Sequence, residues 1–254
     1  MIFAKALHSG KKGKRLVWLH GWGNDHRFML PLAEFFRGDF ENYVLDLPGA
    51  GSSDVPDAEW GIREYAKAVH EWLGTLGERK PTYFVGHSFG GKLSVVMASE
   101  YPEDVAGVVL VAAAGLRVRR CAALKMKIFV IKHLAIVARA VERVFGVNLR
   151  ERFGGLVGSQ DYRNANGVMR RILIKSVNEL IYEQARKVKV PALIVYGSAD
   201  VVTPPYMGKE FSQLIEGSKF VELPGFNHYN ILTDARFQVQ SLMEGWLTEG
   251  CGKD

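Results

Sequence analysis

Residues 83–91 read Tyr-Phe-Val-Gly-His-Ser-Phe-Gly-Gly, an apolar run that stops at Gly86 and gives way, past Gly90, to a helical pattern. A chain passes from strand to helix within so few residues only through a sharp turn. The flanking positions must then lack Cβ atoms so that strand and helix can approach. Ser88, at the apex of that turn, has its hydroxyl pushed outward. It is therefore a candidate nucleophile. A serine hydroxyl is too weak an acid to attack unaided, so this reading requires a base, and a group that orients the base, elsewhere in the chain.

Strand-like and helix-like stretches alternate along most of the sequence. Strands are expected near 2–7, 16–20, 42–46, 81–86, 106–113, 190–196 and 218–223, and helices near 26–37, 60–76, 89–100, 204–216 and 229–248. Within 60–76, Ile62, Tyr65, Ala66, Val69, Trp72, Leu73 and Leu76 recur with helical period. Leu232, Ala235, Val239, Leu242, Met243 and Trp246 do the same in the last helix. Such alternation implies a mostly parallel sheet flanked by helices. The Gly and Lys residues around 10–14 read as a hairpin turn between the first two strands. A hydrophobic content of 48% in 254 residues suits one large α/β domain, or a core with an inserted cap.

A base and its partner have candidates. Val190-Pro191-Ala192-Leu193-Ile194-Val195-Tyr196-Gly197 is followed by Ser198-Ala199-Asp200, and Lys219-Phe220-Val221-Glu222-Leu223 leads into Asn227-His228. Asp200 and His228 thus sit just past the C-terminal ends of expected strands, where open parallel sheets place their ligand sites. Asp200 also has the reading of a helix N-cap ahead of Pro204 and Pro205.

Four segments together, Leu19-His20-Gly21-Trp22-Gly23, Asp46-Leu47-Pro48-Gly49-Ala50-Gly51-Ser52-Ser53, the turn at Ser88, and Gly197-Ser198-Ala199-Asp200 with Asn227-His228, carry a resemblance. Over nearly all of its length the chain resembles the α/β-hydrolase superfamily, whose triad runs in the order Ser88, Asp200, His228. The resemblance implies an α/β-hydrolase fold, with Ser88 as nucleophile, His228 as general base and Asp200 as its orienting acid. It implies an oxyanion hole made by the backbone N–H groups of Phe89 and Trp22, and substrate contacts from Trp22, His87 and Tyr229. His20 is expected to order the oxyanion loop, and Asp46 to shape a turn. The expected activity is hydrolysis of a carboxylic ester or thioester through an acyl-enzyme. The start of the second strand–loop unit, His20-Gly21-Trp22-Gly23, is similar to the carboxylesterases that cleave the methyl ester of pimeloyl-acyl-carrier protein. Two alternatives stand beside this. Hydrolases of ring meta-cleavage products share the layout but usually carry Asn before the serine and Trp after the histidine, where this chain has His87 and Tyr229. Some members of the fold are non-catalytic binding proteins.

The stretch from Gly115 to Lys189 breaks the alternation and is mostly helical in pattern. It is expected to be a cap inserted into a core of residues 1–114 and 190–254. It carries 17 Lys and Arg against 5 Asp and Glu, whereas the whole chain has a net charge of +6. That basicity reads either as a solvated helix face or as steering towards an acidic carrier protein or an anionic membrane surface. Nucleic acid is not an expected partner, because no recognised motif accompanies the charge. The apolar run 126–137 is interrupted by Lys127 and Lys132 and is too broken to span a membrane. No Cys/His spacing suggests a metal, no nucleotide loop is complete, and no cofactor is expected. Cys121 and Cys251 lie in no pairing motif, and the N-terminus has no secretory pattern, so a reducing cytoplasm is expected.

Overall fold

In a computed structural model, which describes residues 1–7, 14–77, 80, 82–119 and 164–251, the strands are β1 (Phe3–Leu7), β2 (Arg15–Leu19), β3 (Glu41–Asp46), β4 (Thr82–His87), β5 (Val105–Val111), β6 (Ala192–Gly197) and β7 (Lys219–Leu223). They form one sheet in the order β1-β3-β2-β4-β5-β6-β7. β1 runs antiparallel to β3, and the other neighbours are parallel. The helices are α1 (His26–Ala33), α2 (Ile62–Gly74), α3 (Phe89–Glu100), α4 (Gly167–Asn178), α5 (Tyr182–Lys187), α6 (Pro205–Leu214) and α7 (Arg236–Cys251). Among the described residues no helix is long and apolar enough to cross a membrane.

The inner strands are buried on both faces, as parallel strands between helices must be. Side chains alternate across the sheet. Val17, Leu19, Phe84, Val108, Leu110 and Ile194 pack with α2, α3, α5 and α6. Leu16, Trp18, Val85, Val109, Val111 and Leu193 pack with α1 and α7. Two polar residues hold the second layer: Trp18 Nε1 donates to Asn42 Oδ1 at 2.8 Å, and Asn42 Nδ2 donates to the Phe36 carbonyl at 2.8 Å.

The strands lie close to where the sequence puts them, with two differences in how the chain connects. The first two strands do not form a hairpin, since β1 lies beside β3 and on the far side of it from β2. β2 is buried along its whole length and both of its edges are taken by β3 and β4, so only the outer edge of β3 remains for β1. The Gly- and Lys-rich connection itself, residues 8–13, lies outside the described residues. The last helix begins at Arg236 rather than near 229. Asn227 Oδ1 accepts from the N–H groups of Tyr229 and Asn230, and Asn230 Oδ1 accepts from that of Asn227. Such local side-chain bonds give the backbone an alternative to helix. Leu232 and Ala235 are buried nevertheless.

Of the expected cap, the described parts are its two ends, 115–119 and 164–189, which include α4 and α5; residues 120–163 lie outside. Several of its described basic groups are paired locally: Arg119 with Glu210, Arg171 with Glu59 and Arg186 with Glu183. The C-terminal end of α4 is tied to the core by Lys92. This α3 side chain is 1% exposed and its Nζ donates to the carbonyls of Ser176 at 2.7 Å and Glu179 at 2.8 Å. Lys92 thus satisfies orphan carbonyls at the end of a helix, the end that favours a cation. Glu179 in turn accepts from the Ile62 N–H at the start of α2 at 2.9 Å.

Burial pushes the Lys92 ammonium down to about 8, with the Glu179 carboxylate opposing the shift. A lysine whose folded pKa lies below its unfolded value of 10.5 penalises folding most below pH 8. The penalty fades as pH rises through the window from about 8 to 10.5, where the unfolded chain binds more protons. Urea denaturation at pH 7.5 and pH 10 should therefore show this upward contribution in the wild type and not in Lys92→Met. Parallel pH dependence in the two proteins would refute the assignment.

Candidate active site

Ser88 caps β4 and opens α3 at φ 52° and ψ −110°, a conformation that non-glycine residues rarely occupy. Its backbone is fixed on both sides: the Ser88 N–H donates to the Val111 carbonyl at 3.0 Å, and the Ser88 carbonyl accepts from Ala114 at 2.9 Å and Lys92 at 3.1 Å. Space for this turn comes from glycines. A Cβ at Gly86 would lie 2.3 Å from the Gly90 carbonyl oxygen, and one at Gly90 would lie 2.0 Å from that of Leu19.

The three residues expected to act together are brought together. His228 Nε2 lies 3.0 Å from Ser88 Oγ, and His228 Nδ1 lies 2.8 Å from Asp200 Oδ2. Asp200 can only accept as a carboxylate, so Nδ1 carries the proton and Nε2 presents a lone pair to the serine hydroxyl. The 3.0 Å separation is within reach for general-base proton transfer. Asp200 and His228 are buried, whereas Ser88 is half-buried at the surface of the site.

Asp200 is held by more than His228. Its Oδ1 accepts from the N–H groups of Val202 and Thr203, each at 2.8 Å. Thr203 Oγ1 lies 2.9 Å from Asp200 Oδ2, 3.0 Å from His228 Nδ1 and 2.9 Å from the Ala112 carbonyl. Asp200 Oδ1 thus closes the turn that precedes α6, while its other oxygen faces His228; it is not the helix N-cap, a position held by Pro204. Thr203 was missed from sequence. The signal was available in the Asp200-x-x-Thr203 spacing before a proline, which brings a side chain three residues on back towards the acid.

Trp22 and Phe89 flank Ser88, their rings edge to face at 5.6 Å. Among the described residues neither backbone N–H donates to another protein group, which leaves both available to an anionic oxygen. The loop carrying Trp22 is fixed by His20, whose Nδ1 lies 2.8 Å from the Gly21 carbonyl and whose Nε2 accepts from the Leu47 N–H at 2.9 Å. Burial lowers the pKa of His20, against the pull of the Gly21 carbonyl, and the neutral ring serves both bonds.

A cavity of about 740 Å³ opens beside these two residues. The apolar part of its wall includes Trp22, Leu47, Val55, Tyr65, Phe89 and Met169, and the polar part includes Asn24, Asp25 and Asn166. Ser88 itself is not in the wall, so the cavity adjoins Trp22 and Phe89 rather than enclosing Ser88. Of the three expected substrate contacts, Trp22 lines the cavity. Tyr229 is exposed, with its ring edge-on to His228 at 5.3 Å. His87 is buried and turned away, its Nε2 2.8 Å from the His228 carbonyl.

Asp25, His26 and Asp46 bring metal-ligand atoms within 4.8 Å of one another, but these atoms are already engaged. Asp46 Oδ1 accepts from the His26 N–H at 2.7 Å and lies 2.8 Å from His26 Nδ1, and Oδ2 accepts from Ser52 at 2.8 Å. The Arg27 guanidinium takes the Asp25 carboxylate and holds its pKa down to about 2. The cluster braces the turn at Gly51, where a Cβ would lie 2.1 Å from Asp46 Oδ2.

Comparison with known proteins adds three kinds of likeness. A family model described as alpha/beta hydrolase fold matches residues 14–235. Lipase 3 of a Moraxella strain is 24% identical over 90% of this chain and 75% of its own length. A pimeloyl-[acyl-carrier protein] methyl ester esterase of Chromobacterium violaceum is 27% identical over 92% of this chain and 94% of its own. Among solved structures, the enol-lactonase of Burkholderia xenovorans superposes with a TM-score of 0.74 at 19% identity, covering 97% of this chain and 96% of that one.

The tight approach at the turn is open to a paired test. Gly90→Ala should destabilise the fold by about 2–3 kcal/mol or more, because the new methyl meets backbone that cannot move aside. Gly74→Ala, where an added Cβ meets nothing within 4 Å, should stabilise by up to about 1 kcal/mol. Denaturant midpoints compare the two, and a tolerated Gly90→Ala would contradict the packing described.

Proposed function

The chain belongs to the alpha/beta hydrolase fold family, and on that premise we propose that it hydrolyses carboxylic esters through an acyl-enzyme on Ser88. The observation that carries the reading is the unbroken line Ser88 Oγ, His228 Nε2, His228 Nδ1, Asp200 Oδ2, with separations of 3.0 Å and 2.8 Å, beside two undirected backbone donors. In the first half-reaction Ser88 Oγ attacks the ester carbonyl carbon and its proton passes to His228 Nε2. The carbonyl oxygen becomes an oxyanion facing the N–H groups of Trp22 and Phe89. Asp200 stabilises the imidazolium. As the intermediate collapses, the bond to the alcohol oxygen breaks and His228 returns the proton to that alcohol. Water then attacks the acyl-Ser88 ester with His228 as base, and the second collapse releases the acid and restores the serine hydroxyl. A thioester follows the same steps with a thiol as leaving group.

We read the apolar wall of the 740 Å³ cavity as the seat of the acyl chain, since its size falls within the range of small-molecule sites. Val168 and Met169 of α4 contribute to that wall, which supports the reading of 115–189 as a cap over the site. The likeness to a lipase and to a methyl ester esterase supports an ester as substrate. The basic charge of 115–189 supports recruitment of an acidic carrier or an anionic surface; residues 120–163 lie outside the described residues.

A fluorophosphonate probe should label Ser88 in the wild type and not in Ser88→Ala. Ser88→Ala and His228→Ala should each reduce kcat on p-nitrophenyl esters by about 10⁴-fold or more, and the double variant should be little worse than either. Asp200→Asn should lose about 10⁴-fold, since an amide favours the wrong imidazole tautomer. Additive losses in the double variant would show that His228 is not the base for Ser88.

A further inference from the structure

His87 takes no part in these steps, yet it is 1% exposed at the centre of the site. Its Nε2 lies 2.8 Å from the carbonyl oxygen of His228. The two imidazole rings are 4.8 Å apart, with Phe28 on His87 at 5.3 Å. A carbonyl only accepts, so Nε2 carries the N–H, and Nδ1 is left buried with no hydrogen-bond partner. Burial, and next the nearby His228, hold its pKa down to about 3, so the ring is neutral with a single N–H. That N–H goes to a carbonyl which nothing else serves. In the turn that carries the base, the carbonyls of Asn227, Tyr229 and Asn230 accept from backbone N–H groups further along the chain, and among the described residues that of His228 accepts from none. The opposite edge of the His87 ring is closed by Gly21, where a Cβ would lie 2.8 Å from Nδ1.

We infer that His87 is a positioning residue for the general base: its Nε2–H fixes the His228 carbonyl, and its ring backs the His228 imidazole so that Nε2 stays in line with Ser88 Oγ. The inference rests on the acyl-transfer reading above. Losing the bond lets a base-bearing turn with no strand around it drift, and displacements of about 1 Å cost rate on the order of 10²-fold.

The test compares His87→Leu, which fills the space without a donor, with His87→Gln, whose side-chain N–H reaches about as far as the imidazole Nε2–H. Both are measured for kcat and KM on a p-nitrophenyl ester, for the rate of fluorophosphonate labelling, and for thermal melting. His87→Leu should lower kcat and the labelling rate by about 10-fold or more with KM changed less than about twofold, and His87→Gln should recover most of that loss. A Leu variant within about twofold of wild type, or a Gln variant as slow as Leu, overturns the inference. Should His87→Leu not fold, His87→Asn replaces it: its shorter amide should be slow where Gln is fast, and equal rates overturn the inference. A wild type that neither labels at Ser88 nor cleaves esters brings down the acyl-transfer reading itself, and the role of His87 with it.

Discussion

Ser88 holds a backbone conformation at φ 52° that costs roughly 1–3 kcal/mol for a residue with a Cβ, and the geometry of the site depends on that turn being held. A closed circuit of hydrogen bonds holds it. The Ser88 N–H is bound by the end of β5 at Val111. The next residue, Ala112, also has positive φ, at 47°, and its N–H is anchored to Val195 of β6. The Ala112 carbonyl meets the Thr203 hydroxyl, which touches Asp200 and His228, and His228 returns to Ser88. Two strained residues just past the ends of neighbouring strands are thus linked through Thr203, Asp200 and His228. Loosening any one link moves the others.

Parallel topology is what makes so short a circuit available. β2, β4, β6 and β7 all end at the same edge of the sheet, so the loops carrying Trp22, Ser88, Asp200 and His228 converge although they are distant in sequence. The circuit closes on the helix side as well. Lys92 lies one turn beyond Ser88 on α3 and caps the end of α4, so the helix that opens at Ser88 also anchors the segment that walls the cavity.

What could be read from the chain follows from how local each signal is. The turn at Ser88 is legible because strand, glycines and helix are contiguous, and the steric demand of the turn dictates residue types at Gly86 and Gly90. Asp200 and His228 are legible because each follows an apolar strand. The position of β1 is not, since a Gly-rich segment marks a reversal without naming the strand that will be paired, and that choice depends on which edges of β2 and β3 are already filled. The start of α7 is misjudged for a related reason: hydrophobic period continues through Leu232 and Ala235 while Asn227 and Asn230 capture the backbone first. His87 and Lys92 have roles set by partners 141 and 84 residues away, and no window of sequence contains both ends of those bonds; Thr203 meets Asp200 three residues away, but His228 only 25 residues away.

Burial also bears on how charge would be distributed in the proposed acyl transfer. His20 and His87 are both held neutral by desolvation, although they flank a site whose proposed chemistry would create an imidazolium on His228. Had His87 been charged, it would repel that imidazolium across 4.8 Å and compete with it for the Asp200 carboxylate. Kept neutral, it gives its one N–H to the His228 backbone and nothing to the field. Asp200, by contrast, is supplied with two backbone donors that point at Oδ1, leaving Oδ2 for His228. In the proposed reaction a positive charge formed on His228 would thus have the Asp200 carboxylate beside it, and the flanking imidazoles would add no cation to oppose it.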